Sequence, residues 1–292
     1  MNDIKCLKVA AVVVTFNRLA LLKECISSLR AQTYKDFDII VVNNGSTDGT
    51  KEYLDSLSDV VVIHQDNVGG AGGFYAGMKY MYDDVQYDAL WMMDDDGLAD
   101  VKQLEELVRY SQKYNVKYSN ALLLNRDNKN ILNDSRKPYN KEQMDKAEFL
   151  EGTICPFNGT FCYRDVLDKV GLIKKEMFIW GDEREYKLRI LKAGFKIGTI
   201  TKAIHYHPFF KGTFKMAIPG IYNKKVTVKP KGMDRYFYRN LGFIDSTYNL
   251  KNGVPYIVYY LVRLQFHNLY RFLKYYNMGR RNDYRTIMFP ND

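Results

Sequence analysis

Cysteine is scarce in this chain. The four, Cys6, Cys25, Cys155 and Cys162, show no metal-ligand spacing and are too few in 292 residues for a disulfide framework. Reduced thiols in a cytoplasmic protein follow as the expectation. No export leader is legible, because Met1 to Lys8 is polar and the apolar run after it is short and lacks a cleavage site. Nor is there a clean membrane span: the best stretch, Pro255 to Tyr276, is interrupted by Arg263, His267 and Arg271. Acidic residues thin out toward the end. From Lys202 to Asp292 there are 16 Lys or Arg against 4 Asp or Glu, while residues 1 to 201 hold 27 and 30, so a tail of +12 follows a body of −3. Such a tail suits nucleic acid, an anionic membrane surface or a phosphorylated substrate, and does not choose among them.

What is present is apolar enough, at 46% hydrophobic, to bury a large core, which excludes disorder. Val9 to Val14 is a continuous run of the kind found in a parallel strand buried on both faces. Leu21, Leu22, Cys25, Ile26 and Leu29 then recur at helical spacing. Phe37 to Val42 reads as a second strand, Lys51 to Leu57 as a helix, Val60 to His64 as a third strand, Tyr75 to Tyr82 as a helix, and Ala89 to Met93 as a fourth strand. Each strand ends in a cluster of small polar residues, and ligands of open parallel sheets bind at those carboxyl ends.

The clusters have chemistry in common. Asp94, Asp95 and Asp96 stand together at a strand tip, where neighbouring carboxylates can share one hard cation that in turn holds a diphosphate; an acidic turn is the plainer alternative. Asn43, Asn44, Ser46, Thr47 and Asp48 offer donors and acceptors suited to a base edge and a ribose, or else a turn and a helix cap. Gly69, Gly70, Gly72 and Gly73 lack the dinucleotide spacing and read as backbone left bare for close approach of a sugar or diphosphate.

Taken in order, Val14-Thr15-Phe16-Asn17-Arg18, the segment Val41 to Thr50, Asn67-Val68-Gly69-Gly70 and Asp94-Asp95-Asp96 resemble the successive motifs of the family 2 inverting glycosyltransferases of GT-A fold. Gly69 to Phe74 and Arg235-Tyr236-Phe237-Tyr238-Arg239-Asn240 look most like the galactofuranosyl- and rhamnosyltransferases of bacterial surface polysaccharides. The resemblance covers about residues 8 to 245. It implies an α/β GT-A domain over 1–245, with a Rossmann-like, mostly parallel nucleotide-binding half (1–100), an acceptor-side half (101–245) and a basic, aromatic helical extension (246–292).

The resemblance also implies roles. Thr15, Asn17, Arg18 and Asn44 would meet the base and ribose of a UDP- or dTDP-linked sugar; many relatives have aspartate where Asn44 stands. Asp66, Asn67, Gly69, Gly70, Asp94 and Asp95 complete the donor set. Asp94 and Asp96 would hold Mn²⁺ or Mg²⁺, with His207, or His205 on the same face of an extended segment, as third ligand. Glu183, or its neighbour Asp182, would deprotonate the acceptor hydroxyl, although the pair also suits a helix cap. Asn158, Gly159 and the stacking platform Trp180 would line the acceptor pocket. The acceptor would be a glycan or lipid-linked glycan, and the stretch Pro255 to Tyr276 is expected to lie as an amphipathic helix at the inner face of the cell membrane, or to pack on the catalytic domain or a second copy. A nucleotidyltransferase acting on sugar phosphates and a basic nucleic-acid-binding module are the alternatives. Clustered acids at strand tips speak against nucleic acid as a partner.

Overall fold

The computed structural model describes residues 5–129, 132, 144, 146–154, 157–208 and 214–283; Cys155 lies outside them. The chain divides into two compact units, Met1–Ile173 with Arg189–Phe210, and Lys174–Leu188 with Lys211–Asp292.

The first unit is built on a nine-stranded sheet. Strands β1 (Val9–Thr15), β2 (Phe37–Asn44), β3 (Val60–Gln65) and β4 (Ala89–Asp94) run parallel in the order β3-β2-β1-β4. Every residue of β1 is buried, as its unbroken apolar run requires. Beyond β4 the sheet becomes mixed: β8 (Asn158–Tyr163) lies antiparallel between β4 and β6 (Tyr118–Asn125), and β9 (Ile197–His207) runs parallel to β6. The short β5 (Leu98–Ala99) and β7 (Phe149–Glu151) both pair antiparallel with β9. Helices α1 (Leu19–Arg30), α2 (Thr50–Asp55), α3 (Gly69–Asp83), α4 (Gln103–Lys113) and α5 (Arg164–Val170) complete the unit. Its core gathers Val9, Ala11, Val13, Leu22, Ile26 and Trp91 among others.

One expectation is corrected by α3. The helix expected over Tyr75 to Tyr82 begins at Gly69, so the glycine-rich segment forms its first turns. A Cβ on Gly73 would stand 2.4 Å from Val14 Cγ1, and one on Gly77 2.3 Å from Val12 Cγ1. These glycines therefore let α3 settle directly on β1, a closeness that any larger side chain would prevent. Gly70 differs, since its Cβ position has no atom within 4 Å.

The second unit contains α6 (Asp182–Lys192) through Leu188, the hairpin β10 (Phe214–Ile218) and β11 (Tyr222–Thr227), and helices α7 (Asp234–Thr247), α8 (Val254–Val262) and α9 (Phe266–Arg280). Its core is aromatic: Tyr238, Tyr256, Tyr259, Tyr260 and Phe272 are buried together, with Tyr256 stacked on Phe272 at 5.2 Å. The tyrosine face of the 255–276 stretch thus packs inside the unit rather than lying open along its length. No helix among the described residues is long and apolar enough to cross a membrane.

Gly73→Ala is expected to cost about 1–3 kcal/mol of unfolding free energy through overpacking against Val14. Gly70→Ala should be neutral or add up to about 1 kcal/mol, as a glycine-to-alanine change inside a helix does. Urea melts of the two variants check this, and equal destabilisation would contradict the packing account.

Candidate active site

The site is assembled at the carboxyl ends of β1, β2 and β4, where three interlocked loops carry the polar clusters. Thr15 Oγ1 donates to Asp95 Oδ2 at 2.7 Å, and Arg18 bridges Asp95 (3.2 Å) and Asp96 (2.9 Å). Thr15 and Asp95 are buried, while Arg18 remains half exposed. Asn17, at φ 53°, accepts from the Thr47 amide at 2.7 Å and donates its own amide to Ser46 Oγ at 3.0 Å. Asp48 accepts from the first amide of α1 through Oδ2 and from the Thr50 amide and hydroxyl through Oδ1.

Asn44 is fully engaged within the chain. Its Oδ1 accepts from Gln65 Nε2 (2.8 Å) and the Val68 amide (3.3 Å), and its Nδ2 donates to the Gly69 carbonyl (3.1 Å) and Asn67 Oδ1 (3.3 Å). A buried carboxamide with both donors and both acceptor positions occupied holds the β3–α3 loop in place. Gly45, at φ +83°, lies against that same loop: a Cβ there would stand 2.7 Å from the Asn67 amide nitrogen. Asp66 is exposed on it.

The aspartate triplet separates into two tasks. Asp95 turns inward to Thr15 and Arg18. Asp94 and Asp96 face His207, and one ligand atom from each of the three lies within 4.8 Å of the others. His207 Nδ1–H donates to the Pro208 carbonyl at 2.7 Å, so Nε2 is the atom presented to Asp96 Oδ1, 3.1 Å away. A backbone carbonyl behind a histidine in this way is the usual outer support of a metal-ligating imidazole. Two carboxylates and one imidazole form a donor set that could hold a divalent ion such as Mn²⁺ or Mg²⁺.

The electrostatics agree. Burial, reinforced by Asp96 and Asp95, pushes the Asp94 carboxyl up to about 7. Burial also works to raise Asp96, but the hydrogen bond and charge of His207 outweigh it and hold Asp96 below its ordinary value. His207 is raised, its own burial being overcome by Asp96. A proton shared in this cluster occupies the place a cation would take.

His205 lies outside that group. It is fully buried, its Nδ1 is 3.1 Å from Gln103 Oε1, and its ring packs against Gly97 and Gly159. Burial, with the nearby charge of His207, lowers it to about 3 and keeps it neutral. Asn158 and Gly159 open β8 at the irregular pairing with β4, Gly159 at φ +70°.

In the second unit, Asp182 and Glu183 begin α6; Asp182 is buried, and Glu183 Oε2 accepts from the Gly181 amide at 3.2 Å. The segment before them is strained: Phe178 and Trp180 both have φ near +60°. It is held by two buried side chains of α7 that the motif at 235–240 had marked without a role. Asn240 Nδ2 lies within 3.0 Å of the carbonyls of Met177, Ile179 and Trp180, and Arg239 donates to those of Glu176 and Met177. A charged residue followed by an amide on an apolar helical face was the available signal. Trp180 itself is half-buried, with Lys229 Nζ 4.0 Å from its ring centre.

The sequence pattern of Glycosyl transferase family 2 matches residues 10–171, more than half of the chain. The chain belongs to this family. It is a glycosyltransferase. The chain is 27% identical to galactofuranosyltransferase GlfT1 of Mycolicibacterium smegmatis, covering 95% of this chain and 98% of that one. It is 30% identical to galactofuranosyltransferase GlfT1 of Mycobacterium tuberculosis, over 83% and 84%. Among solved structures, S. aureus TarS superposes with a TM-score of 0.57 at 13% identity, over 86% of this chain and 42% of TarS. GalNAc-T7, solved with UDP, GalNAc and Mn²⁺, gives 0.60 at 15% identity, over 84% and 51%. This chain therefore spans less than two thirds of either structure's length, and those two likenesses bear on the fold alone.

Added Mn²⁺ should raise the melting temperature of the wild type and leave the Asp94→Asn/Asp96→Asn double variant unmoved. The rise should be larger at pH 8 than at pH 6, because below about 7 Asp94 keeps a proton that the ion must displace. Equal shifts at the two pH values would count against the assignment. Asn240→Ala should lower stability by about 1–3 kcal/mol by orphaning carbonyls, measurable by denaturant melts.

Proposed function

We propose that this chain transfers galactofuranose from its UDP-linked donor to a glycan acceptor in surface polysaccharide synthesis, with inversion at the transferred carbon. The observation that carries the reading is the Asp94, Asp96 and His207 donor set at the tip of β4, beside the Thr15, Arg18 and Asp95 network, in a chain similar to galactofuranosyltransferases over nearly its whole length. dTDP-rhamnose is the runner-up donor.

Asp94, Asp96 and His207 would hold Mn²⁺ or Mg²⁺, which when bound neutralises charge on the diphosphate. Arg18, fixed by Asp95 and Asp96, adds a second positive charge on the donor side. Thr15, Asn17 and the 66–70 loop bind the nucleoside, with Asn44 setting the shape of that loop. Asp182 or Glu183 takes the proton of the acceptor hydroxyl; its oxygen bonds to the anomeric carbon as the bond to the diphosphate breaks, and nucleoside diphosphate departs. Asn158, Gly159 and Trp180 belong to acceptor recognition. A lipid-linked glycan made in the cytoplasm is the acceptor class that suits this product.

Thermal-shift titration with Mn²⁺ and a panel of nucleotide sugars tests the donor: UDP-galactofuranose should stabilise more than UDP alone and more than dTDP-rhamnose. Turnover should release nucleoside diphosphate; pyrophosphate would instead mean nucleotidyl transfer. Asp96→Ala should abolish turnover while the protein stays folded. Of Glu183→Gln and Asp182→Asn, the variant that loses kcat by about 10²–10⁴ while keeping donor affinity names the base. Full activity in both would remove this pair from the chemistry.

A further inference from the structure

We propose that the second unit carries a docking surface for an anionic lipid bilayer, made by the β10–β11 hairpin and the corner between α8 and α9. The corner is apolar where solvent should favour polar residues: Leu261, Val262, Leu264, Phe266 and Tyr270 are all exposed, Leu264 at 73%. The way α8 ends sharpens the point. The Gln265 amide donates to the Tyr260 carbonyl at 2.9 Å and the Leu264 amide to Leu261 at 3.0 Å, the paired bonds of a Schellman cap. In that cap the left-handed position belongs to glycine, yet Leu264 occupies it at φ 54°. A branched apolar side chain held in a disfavoured backbone conformation and pointed into water contributes nothing to the fold around it. Its placement makes sense for a surface that leaves water on contact.

The corner and the hairpin are joined. Arg263 donates to the carbonyls of Ala217 (2.8 Å), Met216 (3.2 Å) and Tyr259 (3.2 Å), tying the end of α8 to β10. At the hairpin turn Ile221 is 84% exposed, and Lys215, Lys224 and Lys225 are exposed on its strands. Residues 186–233 and 246–282 contain no aspartate or glutamate at all, so nothing within either run neutralises this face. Like charge opposes pairing of two such faces, and the mostly polar surface of a nucleic acid would leave the five exposed apolar side chains of the corner largely unmatched. Anionic headgroups over an acyl layer match both halves, the lysines pairing with headgroups and Leu264 with Phe266 entering the acyl layer.

Flotation of the full chain with vesicles tests this. Wild type should bind phosphatidylcholine vesicles containing phosphatidylglycerol far better than phosphatidylcholine alone, and added salt should weaken binding. Lys224→Glu/Lys225→Glu should lower binding about tenfold or more. Leu264→Gly is the decisive variant: it should melt no lower than wild type, since it relieves the left-handed leucine, and yet bind vesicles about tenfold more weakly. Wild-type binding indifferent to phosphatidylglycerol, or Leu264→Gly binding as tightly as wild type, would overturn the proposal. So would a dimer in sedimentation that Leu264→Gly dissociates, because the face would then belong to a second copy. The surface does not depend on the donor reading: turnover of a water-soluble acceptor without vesicles should be unchanged in Leu264→Gly, so either can fail alone. Deleting the tail is no substitute, because it would strip Tyr256, Tyr259, Tyr260 and Phe272 from the core.

Discussion

Three consecutive carboxylates at the end of a buried strand repel one another, and the architecture around them is the answer to that repulsion. Asp95 is turned inward and satisfied by Thr15 and Arg18; Asp94 and Asp96 are left facing His207. Burial still raises the carboxyls of Asp94 and Asp95, while His207 and Arg18 hold Asp96 below its ordinary value. Dividing the triplet leaves one acid tied to the β1–α1 loop and two beside His207, in a cluster that could hold a metal ion.

The parallel half of the sheet was legible because continuous apolar runs such as Val9 to Val14 and Phe37 to Val42 have few other uses. The aspartate cluster was legible for a related reason: carboxylates beyond a buried strand are costly without a partner. The start of α3 was not, because glycine weakens a helix intrinsically and its reason for being there, contact with Val12 and Val14, lies on another strand. The reversal of β8 between β4 and β6 was likewise hidden, since pairing direction depends on partners far away in sequence. The tail stayed open between a membrane-surface helix and a packed one because a tyrosine suits a core and an interface equally well. Only the fold separates Tyr256 and Phe272, which are buried, from Leu264 and Phe266, which are not.

His205 and His207 show where side-chain alternation stops being informative. Both lie on one face of β9, as spacing requires, but one ring is enclosed between Gly97 and Gly159 and the other meets Asp96. What separates them is the space that two distant glycines leave. In the same way the Arg239–Asn240 pair acquires meaning only from the carbonyls of the 176–180 segment, which it holds in a conformation that aromatic residues rarely adopt.

Asp48 joins two loops. One carboxylate receives the opening amides of both α1 and α2, and Asn17 with Ser46 and Thr47 stitches the same two loops again. The loops following β1 and β2 are thus a single hinged plate, not two independent fingers. Whatever settles against one of them meets the other as part of the same bonded piece.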